Sequence, residues 1–349
     1  MTLKGAFKND FTIGVAINQN QFTGQDTNGV ALITSQFNAI APENVLKWEK
    51  VHPQPGTNGY DFAPADAYVA FGEQHHMLIV GHTLVWHNQT PGWVFQGANG
   101  RWLSGTNAAD RELLFQRMHD HIQTVVGRYK GRIKIWDVVN EALNDSRRLN
   151  DTNVLRQTSP WVRVLGMDFI VKAFEYAHEA DPAAILRYND YSIENLAKRQ
   201  RLITLIDYLK SQHVPVMAIG SQTHANLIWP EPDLEDNFLT EVSHLGLPIH
   251  ITELDVNGSQ TGQRSQDADI LQNAQATGGG LPAVSAQEKL AQQYENLFRI
   301  FLKHRDAVKL VTFWGLTDTD SWRGNGHPLL FDGDWQPKLA FHAVIKTVK

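Results

Sequence analysis

The sequence predicts one (β/α)8 barrel, the TIM-barrel fold, as a single domain over residues 1–349, with its active site at the C-terminal ends of the strands. Eight strand-like segments alternate with helix-like segments along the chain, which is the pattern of a parallel α/β fold. The sequence shows no shorter repeat, and its conspicuous polar residues fall at the C-terminal ends of the strand-like segments. Barrel enzymes build their active sites at those ends.

The predicted strands are short runs rich in β-branched and aromatic residues, bounded by polar residues, Gly or Pro. They cover residues 11–17, 38–41, 77–85, 133–142, 184–190, 216–224, 248–255 and 308–314. The fourth strand ends in Asn140 and Glu141, and the seventh carries Glu253 and Asp255 near its end. Because a buried carboxylate is costly unless it is paired or used, these residues are the first candidates for chemistry.

The predicted helices follow the strands in turn. They lie near residues 29–37, 65–75, 110–126, 160–180, 196–212, 234–245 and 290–302, and a last helix begins near Pro337. The segment 160–180 places apolar residues on one face and has Pro in its first turn after Ser159, as amphipathic helices do. The Gly-, Gln- and Ser-rich insertion 257–282 is too long for a plain connector, so we expect it to shape the rim of the site.

Composition narrows the function class. The net charge is −6 and the pI about 6.2, which does not favour nucleic acid or anionic membrane as a partner. The absence of cysteine excludes disulfides, thiolate metal sites and cysteine nucleophiles. The N-terminus lacks a secretory signal, and no apolar run reaches membrane-spanning length. We therefore expect a soluble monomer, either intracellular or the mature form of a secreted enzyme.

Two carboxylates at one barrel mouth suit the cleavage of a glycosidic bond. That reaction needs an acid to protonate the leaving oxygen and, in the retaining route, a carboxylate nucleophile about 5 Å away. Glu141 and Glu253 are the candidates. An ionised Glu253 is expected to raise the pKa of Glu141, which then holds a proton. Once the sugar is attached to Glu253, that pKa falls and Glu141 can act as base toward water.

The neighbours of the two glutamates fit these roles. Alternate strand residues share a face, so Glu253 and Asp255 point the same way, as do Gln222 and His224. His224 can then be oriented by Asp255 while it hydrogen-bonds Glu253. Asn140 suits a sugar 2-hydroxyl, whose hydrogen bond strengthens in the transition state. Three further residues within about one helical turn offer the mixed donors and acceptors that suit neutral polyhydroxyl ligands: Glu43, Asn44 and Lys47.

Several short motifs, in order over nearly the whole chain, carry a family resemblance. They are residues 43–48 (ENVLKW), 81–87 (GHTLVWH), 136–142 (WDVVNEA), 188–191 (YNDY), 220–224 (GSQTH), 251–255 (ITELD) and 312–315 (TFWG) with 320–322 (DSW). In these motifs the chain resembles the family 10 glycoside hydrolases, the barrel endo-β-1,4-xylanases. It departs from the usual pattern in the loop 323–328, which is shorter than in many relatives.

The resemblance implies roles for particular residues. Glu141 would be the acid/base and Glu253 the nucleophile of a retaining endo-1,4-β-xylanase acting on xylan and xylo-oligosaccharides, with Asp255 in support and with no cofactor or metal. The residues expected around the cleaved sugar are Lys47, His82, Trp86, Asn140, Gln222, His224, Trp314 and Trp322. Glu43, Asn44 and Lys47 would reach the next xylose on the non-reducing side, and Tyr188 would stack on the leaving-side sugar.

Other functions remain alternatives at this point. A non-catalytic carbohydrate-binding barrel would keep the tryptophans but lose one carboxylate, whereas both are present here. Another retaining β-glycanase, of the cellulase or β-glucanase kind, would share the Asn-Glu acid. The family resemblance implies that Trp322 closes over the position of the glucose hydroxymethyl group, which would favour xylan. His82 and His87 lie five residues apart with no matching acidic ligand, which disfavours a metal site.

Overall fold

The computed structural model describes residues 1–258 and 284–348. Within these ranges the strands are β1 (Thr12–Ile17), β2 (Ala39–Pro42), β3 (Leu78–Gly81), β4 (Val85–Trp86), β5 (Ile135–Asn140), β6 (Ile185–Asp190), β7 (Ala218–Ser221), β8 (His224–Asn226), β9 (Ile249–Asn257) and β10 (Val308–Phe313). The predicted rim insertion 257–282 lies outside the described residues from 259 onward.

Helices alternate with these strands along the chain. They are α1 (Leu3–Ala6), α2 (Gln19–Phe22), α3 (Thr27–Gln36), α4 (Trp48–Val51), α5 (Ala63–Gln74), α6 (Ala108–Arg128), α7 (Pro160–Leu165), α8 (Asp168–Ala180), α9 (Leu196–Ser211), α10 (Pro232–Ser243), α11 (Val284–Lys303) and α12 (Leu339–Lys346). Short 3-10 helices cover Thr57–Gly59, Gly92–Phe95 and Gly324–Gly326. In the described part of the chain, no helix is long and apolar enough to cross a membrane.

The chain divides into two compact units. The first unit consists of Met1–Glu43, His75–Met77 and Ser221–Lys349, and the second unit of Asn44–Gln74 and Leu78–Gly220. In the first unit, β1 pairs in parallel with β2 and β10, and β9 pairs in parallel with β10 and β8. In the second unit, β5 pairs in parallel with β3, β4 and β6. Parallel pairing brings the C-terminal ends of neighbouring strands to the same edge.

Local sequence explains where the main helices begin. Asn107 caps α6 by accepting hydrogen bonds from the backbone N–H groups of Ala109 and Asp110, and Asn195 caps α9 in the same way through Ala197. A side-chain acceptor at this position satisfies N–H groups that the helix itself leaves unpaired.

Gly81 shows how tightly the strands of the second unit are packed. A Cβ atom at this position would lie 2.2 Å from the indole of Trp136, its partner in β5. Trp136 is completely buried, so its ring cannot move aside. Only glycine therefore fits here, directly before His82.

The structure corrects three predicted boundaries. The predicted strand 77–85 is two strands, β3 and β4, and residues 82–84 between them belong to neither. The predicted strand 216–224 is also broken, since Thr223 has a φ of 52° and cannot continue an extended strand. The predicted helix 160–180 is divided into α7 and α8 by Gly166, which has a φ of 65°. The single-domain assignment to 1–349 stays a prediction.

Candidate active site

The predicted site residues lie within strands of both units or in the segments that follow them. The second unit carries Asn44, Lys47, His82, Trp86, Asn140, Glu141 and Tyr188, and the first unit carries Glu43, Gln222, His224, Glu253, Asp255, Trp314 and Trp322. Among the described residues, His, Asp and Glu side chains form no group of three that could hold a metal ion.

Glu141 occupies the position directly after β5, where the backbone leaves the strand. Its φ is 56°, a left-handed conformation that costs a non-glycine residue about 1–2 kcal/mol. Its N–H donates to the carbonyl of Asn189 at 2.9 Å, which extends the pairing of β5 with β6. The residue is 4% exposed. A strained backbone at a buried carboxylate marks Glu141 as a candidate functional residue.

Trp86 fixes the carboxyl group of Glu141. Its indole Nε1–H donates to Oε2 of Glu141 at 2.8 Å. On the preceding residue, Asn140 accepts a hydrogen bond from the side-chain amide of Asn189 at 2.9 Å. Asn140 and Asn189 are both buried. The end of β5 therefore presents a carboxyl group and an amide, both held in place by neighbouring side chains.

The prediction that Tyr188 stacks on a leaving-side sugar is wrong. Its side chain is completely buried, so it has no free face for a sugar ring. Its hydroxyl accepts hydrogen bonds from the N–H groups of Ala142 at 3.1 Å and Leu143 at 3.2 Å and donates to Asp190 at 2.5 Å. Tyr188 thus belongs to the support of the loop after Glu141.

His82 is held by a buried ion pair. Its Nδ1 lies 3.0 Å from Oδ2 of Asp137, and the guanidinium of Arg187 donates to both carboxylate oxygens of Asp137 at 2.6 and 2.9 Å. Burial alone would raise the pKa of Asp137, but the charge of Arg187 and the hydrogen bond from His82 bring it down to about 2. The orientation of His82 is therefore set from within the second unit.

Lys47 is the centre of a polar group that the sequence indicated only in part. Its ammonium donates to the side chains of Asn44 at 3.0 Å and Gln89 at 2.8 Å and lies 5.3 Å from the centre of the Trp86 ring. Sequence reasoning missed Gln89, which lies 42 residues beyond Lys47; its only signal was its place three residues after Trp86. The group combines donors and acceptors, as a neutral polyhydroxyl ligand requires.

In the first unit, Glu253 and Asp255 are bridged by His224, as the sequence predicted. Nε2 of His224 lies 3.2 Å from Oε2 of Glu253, and Nδ1 lies 3.0 Å from Oδ2 of Asp255. Burial alone would lower the pKa of His224, but the charge and hydrogen bond of Asp255 and the hydrogen bond to Glu253 raise it to about 9. At neutral pH the ring is therefore a cation that donates to both carboxylates.

Asp255 also anchors the segment that carries Trp322. Beyond His224, it accepts hydrogen bonds from Nε1 of Trp322 at 2.9 Å and from Arg323 at 3.1 Å. The guanidinium of Arg323 lies 4.5 Å from the centre of the Trp322 ring. Sequence reasoning missed Arg323, although it follows the DSW motif directly. A fully buried carboxylate with three donors sets the position of both His224 and Trp322.

The remaining predicted residues of the first unit also follow strand ends. Glu43 comes directly after β2, and its N–H donates to Ile17 at the end of β1. Trp314 comes directly after β10, and its N–H donates to the carbonyl of Leu254. Gln222 is buried, and its backbone carbonyl accepts from the N–H of Glu253.

The state of His224 predicts how the protein responds to alkali. Its folded pKa of about 9 lies above the unfolded value of about 6.5. Its contribution to stability is therefore complete below pH ~6.5 and is lost as the pH rises through about 9. We expect activity to fall over the same upper range, because the neutral ring can donate only one of its two hydrogen bonds. Kinetics at increasing pH measures the loss of activity. An NMR titration of histidine-labelled protein measures the pKa of His224, on which the stability argument depends.

A His224 signal that titrates near 6.5, or activity that is flat from pH 7 to 10, would contradict a cationic bridge between Glu253 and Asp255.

Comparison with known proteins gives the family. The family description "Glycosyl hydrolase family 10" matches residues 2–347. The chain is 38% identical to a protein named beta-1,4-xylanase from Dictyoglomus thermophilum over 99% of this chain and 90% of that protein. It is 36% identical to an endo-1,4-beta-xylanase from Geobacillus stearothermophilus over 99% of this chain and 98% of that protein.

Solved structures agree with this assignment. The chain matches a GH10 endoxylanase retrieved from a sugarcane soil metagenome with a TM-score of 0.87 and 40% identity, over 100% of this chain and 99% of that one. A likeness of this extent confirms the predicted (β/α)8 barrel. The chain belongs to glycosyl hydrolase family 10.

Proposed function

We propose that this protein is a retaining endo-1,4-β-xylanase that hydrolyses internal bonds of xylan, with Glu253 as nucleophile and Glu141 as acid/base. The observation that carries the proposal is the contrast between the two glutamates. Glu253 faces a charged imidazolium, whereas Glu141 faces the neutral indole N–H of Trp86. Different surroundings for two carboxyl groups are how glycosidases divide the roles of nucleophile and acid.

In the first step, the Glu253 carboxylate attacks the anomeric carbon while Glu141 gives its proton to the leaving oxygen. The charged His224 donates a hydrogen bond to Oε2 of Glu253 and so orients the carboxylate for the attack. In the second step, Glu141 removes a proton from water, which attacks the same carbon and releases Glu253. Two inversions give net retention of the anomeric configuration.

The other residues would bind the sugars on both sides of this carbon. The proposed substrate contacts are Glu43, Asn44, Lys47, His82, Trp86, Asn140, Gln222, His224, Trp314 and Trp322, with Asp255 in support. The hydrogen-bonded group around Lys47 supports a glycone site for a neutral sugar. The three donors on Asp255 support a fixed position for Trp322.

Substrate choice is tested with a matched pair of aryl glycosides. Because Trp322 is held by Asp255, it cannot easily move aside for the extra hydroxymethyl group of glucose. We expect kcat/KM for an aryl xylobioside to exceed that for the aryl cellobioside about 10-fold or more. Trp322→Ala should narrow this ratio, because it removes the ring that excludes the larger sugar.

Equal turnover of the two glycosides by the wild-type protein would favour the alternative, a retaining β-glucanase or cellulase-like enzyme. The endo mode is measured separately on xylan, where internal cleavage lowers the viscosity well before reducing ends accumulate. Release of monosaccharide without an early fall in viscosity would contradict it.

A further inference from the structure

Backbone and side-chain groups of other segments hold the chain at Glu141. The N–H of Glu141 donates to the backbone carbonyl of Asn189 at 2.9 Å, and its own carbonyl accepts from Nε of Arg156 at 3.3 Å. After it, the N–H groups of Ala142 and Leu143 both donate to the hydroxyl of Tyr188. A left-handed residue persists only where its surroundings impose that conformation.

The Tyr188 hydroxyl is itself fixed in one orientation. It accepts two backbone hydrogen bonds, so its own proton must point to the remaining partner, Oδ2 of Asp190 at 2.5 Å. The other oxygen of Asp190 accepts from the buried ammonium of Lys198 at 2.8 Å and from the N–H of Tyr191. Burial raises the pKa of Tyr188 well above its ordinary value, so the hydroxyl keeps its proton at every working pH.

Arg156 is anchored equally well. Its guanidinium pairs with Asp145 at 2.6 Å and donates to the hydroxyl of Tyr191 at 2.8 Å. Its backbone N–H donates to the carbonyl of Ala142 at 2.9 Å. Arg156 and Tyr188 thus bind the carbonyl and the N–H of the same peptide group, the one that joins Glu141 to Ala142.

We propose that Tyr188 and Arg156 are positioning residues for the acid/base: they hold the left-handed turn that aims the Glu141 carboxyl at the leaving oxygen. This inference rests on the proposed function, because it assigns the turn a purpose only if Glu141 transfers the proton. Correct aim matters because a displacement of about 1 Å can slow a reaction roughly 100-fold. The effect should therefore appear in the proton transfer and not in the attack by Glu253.

Tyr188→Phe removes only the hydroxyl and tests the proposal. We expect kcat/KM for phenyl xylobioside, whose leaving group needs a proton, to fall about 10- to 100-fold. For dinitrophenyl xylobioside, whose leaving group departs without one, we expect a fall of less than about 3-fold. The dependence of the rate on the leaving group should therefore become steeper than in the wild-type protein.

Tyr129→Phe is the matched control. Tyr129 is also fully buried in the second unit, and its hydroxyl donates to a carboxylate, that of Asp66 at 3.0 Å. It follows α6 and belongs to none of the proposed catalytic or binding groups. The control should lower the melting temperature about as much as Tyr188→Phe. It should leave the ratio of kcat/KM for the two substrates unchanged.

The double variant with Glu141→Ala separates positioning from general support of the fold. If Tyr188 acts through Glu141, adding Tyr188→Phe to Glu141→Ala should change kcat/KM less than about 2-fold. If Tyr188→Phe does not fold, Arg156→Lys replaces it, since lysine can keep the ion pair with Asp145 but loses the bond to Glu141. Arg156→Lys should also lower kcat/KM for phenyl xylobioside much more than kcat/KM for dinitrophenyl xylobioside.

Three results for Tyr188→Phe would overturn the inference: an equal loss of kcat/KM with both leaving groups, no loss with either, or a loss that is as large in the Glu141→Ala background as in the wild-type protein. Failure of the proposed function would look different. In that case Glu141→Ala itself would slow substrates with good and poor leaving groups equally. If only the positioning role fails, Glu141→Ala should still slow the substrate with the poor leaving group more.

Discussion

Glu253→Ala is expected to fold normally and to lose activity on xylan by roughly four orders of magnitude or more. The fold should survive because Asp255 still holds His224 from its other nitrogen. The activity should not, because the alanine cannot form the glycosyl-enzyme bond. Added azide should restore turnover of an activated aryl xylobioside by occupying the vacated space and attacking the anomeric carbon directly. A single displacement inverts that carbon, so the product should be the α-glycosyl azide.

The measurement combines thermal unfolding, turnover with and without azide, and NMR of the azide product. Glu73→Ala is a suitable control, because Glu73 is a surface carboxylate that pairs with Arg132 at 2.7 Å. It should keep its activity and show no response to azide. A β-configured azide product from Glu253→Ala, or retention of more than about 1% of the activity, would assign the nucleophile to another residue.

Glu141→Ala should have the second largest effect, and its size should depend on the substrate. General acid catalysis contributes about 10²- to 10⁴-fold, so hydrolysis of xylan should fall by that factor. Dinitrophenyl xylobioside should still transfer its sugar to Glu253 at nearly the normal rate, because its leaving group needs no proton. The glycosyl-enzyme should then accumulate, because the base that activates water is missing.

Azide distinguishes this variant from Glu253→Ala. An anionic nucleophile needs no base, so it should release the sugar from Glu253 in a second displacement and give the β-glycosyl azide. Opposite azide products from the two variants would assign the two roles within a single experiment. If Glu141→Ala slowed both substrates equally, or gave the α-azide, Glu141 would not be the acid/base.

Local rules were sufficient to predict the barrel and the contacts of His224 with both carboxylates, and they indicated the candidates for catalysis. Alternation of strands and helices predicted the barrel, and the position of carboxylates at strand ends predicted Glu141 and Glu253. The period of two along a strand placed Glu253 and Asp255 on one face, and the observed bridge by His224 follows from it. These features depend on residues that are near one another in the chain or on one repeated pattern.

Features that break the local pattern could not be predicted. The register of β5 against β6 shifts between Asp137 and Val139, and Glu141 then turns into the left-handed region. The family resemblance implied a sugar-stacking role for Tyr188, and no local pattern indicates that its side chain is completely buried. The contacts of Lys47 with Gln89 and of Arg156 with Glu141 join distant segments and carry no local signal.

The stereochemistry of the first product tests the central claim most directly, namely that Glu253 attacks the sugar while Glu141 supplies the proton. Proton NMR of a xylo-oligosaccharide digest, recorded within minutes of adding enzyme, should show the β-anomer of the new reducing end first. The α-anomer should appear later, as the free sugar equilibrates. Initial formation of the α-anomer would show a single displacement by water and would contradict the assignment of Glu253 as nucleophile.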